Sequence, residues 1–215
     1  MAHTFLLLDP KPTGYAFIVK HPYTDNAFVT LEVGKKEYVP ANILEDSTAM
    51  KKWRENVSRI IENAKNPRHV YMGLTKSYRF AFLKYAMPYM SQKDFSEYLA
   101  DAWVLCEAPN RDPNFTKRQM IGLFQKADPR ILMSDDEYDR LQNLEIITTV
   151  YRGVTEYNAD KVKALSWTLN PKTAKWFAHR FDENGTVYKA RISKTHILAF
   201  LIPEMNRRPL SIPDI

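Results

Sequence analysis

The stretch "LEIITTVYRGV", residues 144–154, decides how the C-terminal third of this chain is read. Ile146, Ile147, Val150 and Tyr151 have the β-branched and aromatic character of a buried strand. That strand ends on Arg152, a permanent cation, and on Gly153, one of only six glycines in the chain. Packing alone gives no reason for a buried strand to finish on a cation and a residue without a side chain. The pair is a candidate site.

Working outward, "LSWT" at 165–168 reads as a short strand in which Ser166 and Thr168 share one face and Trp167 takes the other. "NPKTAKWFAHRF" at 170–181 predicts a helix: Asn170 caps it, Pro171 fits its first position, and Ala174, Phe177, Ala178 and Phe181 form one apolar face. Phe177 and Phe181 are expected in the core, and His179 on the surface. The turn "DENG" leads into "TVYKARI" at 186–192, which alternates like a half-buried strand. "HILAFLI" at 196–202 is continuously apolar, like a central one.

Upstream, strand-like pieces occupy residues 1–40: "HTFLLL", "GYAFIVK" and "AFVTLEV", separated by turn residues. From Ser47, a candidate cap, the period becomes helical, with Met50, Trp53, Val57, Ile60, Ile61 and Ala64 on one stripe. Further helices are predicted over 75–87 and 92–106, after Pro113, and over 134–143 behind the cap Ser134 and the acidic "DDE". The fold class is α+β. Residues 1–144 form a mainly helical region with strands in 1–40, and residues 145–215 a β-rich core, with the boundary near 144.

Composition narrows the function classes. Apolar residues at 45% and charged residues at 26% are ordinary for a folded soluble chain. A net charge of +6 favours anionic partners, although Lys and Arg are scattered rather than blocked. No apolar run approaches the roughly 20 residues that span a bilayer, so the expected location is the cytoplasm, with no membrane partner. Cys106, the only cysteine, has no partner for a disulfide and is read as a buried thiol. His3, His21, His69, His179 and His196 form no short-spaced ligand pair, so no metal is expected. There is no Gly-rich phosphate loop and no nucleophile elbow.

The ordered combination of Tyr151-Arg152-Gly153, Ser166-Trp167-Thr168, the Ala174-to-Ala178 helix and two closing strands resembles the mono-ADP-ribosyltransferases of the arginine–serine–glutamate class, found among bacterial toxins and phage proteins. The resemblance covers roughly residues 145–202. It implies an ADP-ribosyltransferase-like core that binds NAD as co-substrate, releases nicotinamide and passes ADP-ribose to a protein or nucleic-acid acceptor. The Arg152 fork would grip the pyrophosphate, and Gly153 would offer its main chain to the nicotinamide carboxamide. Ser166 would hold the nicotinamide ribose and orient the arginine, Thr168 would support the same corner, and Tyr151 belongs to the cofactor-binding set. An antitoxin or regulatory partner would fit a chain of this kind. Lys51, Lys52, Arg54 and Arg59 on the helical region are candidates for recognising the target.

Members of that class carry an acidic pair, Glu-x-Glu or Gln-x-Glu, whose second glutamate stabilises the oxocarbenium-like centre formed as nicotinamide leaves. Here the tail reads "PEMNRRPLSIPDI". Glu204 is its only glutamate and the provisional catalytic carboxylate. If Glu204 instead takes the first acidic position, Asn206 occupies the second. Asp214 is a further candidate, and Arg207 and Arg208 bring cations nearby. Two other readings stay open: a catalytically degenerate module that holds a nucleotide, nucleic acid or partner protein, and a basic nucleic-acid binder. Arg152 itself has a competing reading as a structural ion-pair residue.

Overall fold

Helix α1, Ala2–Leu6, begins a chain whose computed structural model describes residues 1–34, 37–180 and 184–202. "HTFLLL" is therefore helical rather than extended. Leu6 enters the core, while the carbonyls of Leu7 and Leu8 accept from the Arg54 guanidinium and that of Leu8 also meets His21 Nε2. Side chains, not a neighbouring strand, satisfy this backbone.

Strands β1 (Lys11–Pro12), β2 (Ile18–His21) and β3 (Thr24–Asn26) form a small antiparallel sheet. Strands β4 (Phe28–Gly34) and β5 (Glu37–Asn42) pair antiparallel from Phe28↔Asn42 to Gly34↔Glu37. Helix α2, Ser47–Glu62, covers them with Ala49 and Trp53, which join Leu6, Leu31 and Ile43 in one cluster. Its cap is Asp46, whose Oδ1 accepts from the Thr48 and Ala49 N–H groups at 2.8 and 3.0 Å, one residue before the expected Ser47. Ile60, expected on the buried stripe, is 66% exposed. Helices α3 (Pro67–Met72) and α4 (Arg79–Ala86) complete this unit, which spans Met1–Pro88.

The second unit spans Tyr89–Ile215. Its helices are α5 (Gln92–Leu105), α6 (Lys117–Lys126), α7 (Pro129–Leu132) and α8 (Asp135–Gln142). Thr116 with Gln119 and Ser134 with Glu137 form reciprocal capping boxes that fix where α6 and α8 start. Strand β6, Ile147–Val154, pairs antiparallel with β7, Thr186–Ser193, from Ile147↔Ser193 to Val154↔Thr186. Helix α9, Pro171–Ala178, packs on this pair behind its Asn170 cap.

The mixture of helix and antiparallel sheet is α+β. The division between units falls after Pro88, not near 144, because α5 to α8 are tied to the strands that follow them. Asn110 bonds Leu165 and Ser166, the Lys194 ammonium donates to Gln142 O, and the Ile202 N–H donates to buried Glu137. Expectations about strands also fail in this unit. Ile146 and Ile147 are 81% and 43% exposed, so β6 alternates instead of being buried throughout. "HILAFLI" forms no strand: the Phe200 and Ile202 amides point to Met133 Sδ and Glu137 Oε1 instead of to a sheet. No helix among the described residues is long and apolar enough to cross a membrane.

His21 reports on the first unit. Its ring is 1% exposed, sits edge-on to Trp53 at 4.9 Å, and has both nitrogens engaged, with Nδ1 accepting from Tyr23 N–H and Nε2 facing Leu8 O. Nδ1 is therefore unprotonated, and burial holds the pKa below 6.5. The unfolded chain binds the proton more readily, so this stabilisation is complete above pH 6.5 and is lost as the pH falls from there towards the folded value. The unfolding free energy should fall as pH is lowered from about 7.5 to 5.5, by at most about 1.4 kcal/mol per pH unit from this group, and the thermal midpoint should fall with it. A melt of His21→Gln over the same range should be less stable at the start but flatter.

Candidate functional site

The end of β6 is built around a close approach. A Cβ on Gly153 would overlap the Ala174 carbonyl oxygen and lie 2.5 Å from the Ala178 nitrogen; one on Gly185 would overlap the Ala178 carbonyl oxygen and lie 2.6 Å from that of Val154. Ala174 and Ala178 are fully buried. Glycine on the strand side and alanine on the helix side let two backbones meet. The Cα face of Gly153 is thus filled by α9, which leaves only its main-chain N–H and C=O for any other contact.

What Gly153 does offer is its edge. Tyr151 N–H donates to Thr168 O at 2.8 Å and Thr168 N–H to Tyr151 O at 2.9 Å. Main-chain groups of successive strand residues turn to opposite edges. The Gly153 N–H and C=O therefore lie on the same edge as those of Tyr151, level with Ser166, outside the β6–β7 ladder.

Arg152 points away from α9, on the opposite face of the strand from Gly153. Its Nη1 donates to the main-chain carbonyl of Ser166 at 2.6 Å. The structure thus brings Arg152 and Ser166 together, though through the Ser166 carbonyl and not its hydroxyl. The Arg152 Nε is buried and has no hydrogen-bond partner, and no carboxylate among the described residues pairs with the guanidinium. Burial pulls its pKa below the ordinary arginine value. The ion-pair reading of this arginine thus finds no partner among the described residues.

The Ser166 hydroxyl accepts from Asn110 Nδ2 at 2.8 Å, and Asn110 Oδ1 accepts from the Leu165 N–H at 2.8 Å. Asn110 lies in a 3-10 turn, Pro109–Arg111, fifty-six positions earlier. No element is expected there from the sequence, and nothing in one chain marks Asn110 as the partner of a distant serine. Thr168 serves a local purpose: its hydroxyl accepts from the Asn170 N–H at 3.1 Å, at the entry to α9. Trp167 turns its indole N–H to Ala164 O at 2.9 Å, which fits the packing role expected of it. "LSWT" is held to β6 by the single Tyr151↔Thr168 bridge and is not a strand of its own.

A cleft of about 600 Å³ opens beside this cluster, lined by Asn110, Phe115, Lys117, Met120, Val162 and Leu165 among others. Its size falls in the range of small-molecule sites. Arg152 and Ser166 are not on its wall; Asn110 links it to them. Phe177, expected in the core, is 43% exposed against Trp176. Phe181 and the acidic candidates Glu204 and Asp214, with Asn206, Arg207 and Arg208, lie outside the described residues. Burial raises the Cys106 pKa above its ordinary value, keeping it a thiol. Arg54 pairs with Asp9 at 2.9 Å and Arg59 with Glu32 at 3.6 Å, so two of the four cations expected to recognise a target are engaged within their own unit.

No family model, curated protein or solved structure matches this chain.

The packing at Gly153 gives a direct test. Gly153→Ala places a methyl against main-chain atoms that cannot rotate aside, at a cost of roughly 1–3 kcal/mol or more. Chemical denaturation of Gly153→Ala should show that loss, whereas Gly122→Ala, where nothing lies within 4 Å, should be neutral or slightly stabilising.

Proposed function

We propose that the second unit is a NAD-dependent mono-ADP-ribosyltransferase, whose ADP-ribosyltransferase-like core begins with β6, the 165–168 segment and α9. One observation carries the reading. Arg152 is a half-buried cation, its Nε enclosed, without a counter-ion among the described residues, and its neighbours are the Gly153 main chain and a fixed hydroxyl at Ser166. A desolvated guanidinium is costly unless an anion meets it, and the NAD pyrophosphate is an anion suited to its fork. The Gly153 N–H and C=O present the complementary pair that a carboxamide needs.

In this reading Arg152 and Ser166 hold NAD, Gly153 meets the nicotinamide, and Tyr151 and Thr168 keep the 165–168 segment against β6. The bond between nicotinamide and ribose C1′ breaks, and nicotinamide leaves as the neutral base. The resulting oxocarbenium-like centre is stabilised by a carboxylate, assigned to Glu204. A nucleophile on the acceptor attacks C1′ from the opposite face and loses its proton, so the carbon is inverted. The acceptor is a protein or nucleic acid; the charge of +6 favours an anionic one. The cytoplasm supplies NAD, and a toxin-like activity there calls for an antitoxin or regulatory partner.

A second reading rests on the single glutamate of the tail: with Asn206 in the second acidic position, the same site would hold NAD or another nucleotide without cleaving it. NAD titration and an assay of released nicotinamide separate the two. The wild-type chain should bind NAD and release nicotinamide. Arg152→Ala should weaken NAD binding roughly 10- to 100-fold with an unchanged melting temperature. Glu204→Gln should keep binding and slow release on the order of a hundredfold. Binding without release by the wild-type chain favours the module; no NAD binding overturns the transferase reading and leaves the module only with another nucleotide.

A further inference from the structure

We propose that Asn110 is a positioning residue that fixes the Ser166 hydroxyl as a hydrogen-bond donor to an acceptor oxygen of the bound ligand. The inference rests on the transferase reading above, in which that oxygen belongs to the nicotinamide ribose of NAD.

The orientation of the Asn110 amide follows from its partners. The Leu165 N–H can only donate, so the atom facing it at 2.8 Å is the carbonyl Oδ1. The other arm, 2.8 Å from Ser166 Oγ, is then the NH₂ group, which can only donate. Ser166 Oγ is thereby an acceptor towards Asn110, and its own proton has to be directed elsewhere. No other described residue takes that proton. A hydroxyl whose lone pair is held by an amide and whose proton is unclaimed is preset to donate.

The setting keeps this preset in place. Residues 165 and 166 are held at three points: Asn110 takes the Leu165 N–H and the Ser166 Oγ, and Arg152 takes the Ser166 carbonyl. Asn110 and Leu165 also form part of the wall of the 600 Å³ cleft, so the clamp borders a ligand-sized space. Arg152 and Ser166 then divide the work: the cation meets the phosphates and the hydroxyl proton meets the sugar.

Asn110→Asp tests this with almost no change of shape. The carboxylate still accepts from the Leu165 N–H, but its second oxygen also accepts, so it draws the Ser166 proton to itself and reverses the hydroxyl. The dissociation constant for NAD should rise at least tenfold at an unchanged melting temperature, and in steady-state nicotinamide release the change should fall on KM with kcat within about threefold. Ser166→Ala should show a similar loss, and the double variant Asn110→Asp/Ser166→Ala should bind no worse than Ser166→Ala alone. If Asn110→Asp weakens NAD equally in the Ser166→Ala background, the added charge is the cause and the inference is overturned. It is also overturned if Asn110→Asp binds as tightly as the wild type. Should Asn110→Asp melt early, the same cycle with Asn110→Ala is read in the same way: non-additive losses support the clamp and additive ones overturn it. A wild-type chain that binds no NAD overturns the transferase reading together with this inference.

Discussion

The contact between the backbone of α9 and the ends of β6 and β7 is the constraint on which the second unit depends. Gly153 and Gly185 remove the side chains from one surface, and Ala174 and Ala178 reduce those of the other almost to backbone. With α9 seated, one face of β6 is filled. The residue next to Gly153 has to project from the other face, and that residue is Arg152. The close approach therefore aims the cation.

Aiming it there creates an electrostatic demand. The guanidinium gains one short bond to a carbonyl and is half-buried, leaving an enclosed Nε without a partner among the described residues. In a protein that only needed a strand to end, an apolar residue would be more stable at this position. The guanidinium stands beside the Gly153 main chain, with α9 closing the opposite face of β6. Asn110 extends the arrangement from the helices of the same unit, so the site is held by both its sheet and its helical parts.

Much of the local structure was legible because it rests on local rules. The cap at Ser134 and the Asn170-Pro171 start of α9 involve neighbours within a few residues; 186–192 is the expected strand, but Thr186 to Lys189 are all exposed instead of alternating. The errors share one cause. "HTFLLL" and "HILAFLI" are apolar enough for strands, but a strand needs a partner edge: the first bonds its amides within α1 and its last carbonyls to Arg54 and His21, and the second turns amides to Met133 and Glu137. Phe177 lies on the predicted apolar face of α9 yet stays exposed, because the helix presents its alanines, not its phenylalanine, to the strands.

The sequence by itself determined that the chain combines helices with strands, where most of the helices begin, and that Glu204 is the single glutamate of the tail, while the grouping of Arg152, Gly153 and Ser166 came only from a resemblance. It could do so because periodicity, caps and turn chemistry act over a few residues. Tertiary structure alone decided that Gly153 serves a helix contact, that Arg152 meets the Ser166 carbonyl and not its hydroxyl, and that Asn110 holds that hydroxyl from fifty-six residues away. Each of these depends on which surface is brought against which, and hydrogen bonds between distant residues leave no mark in the order of a single chain.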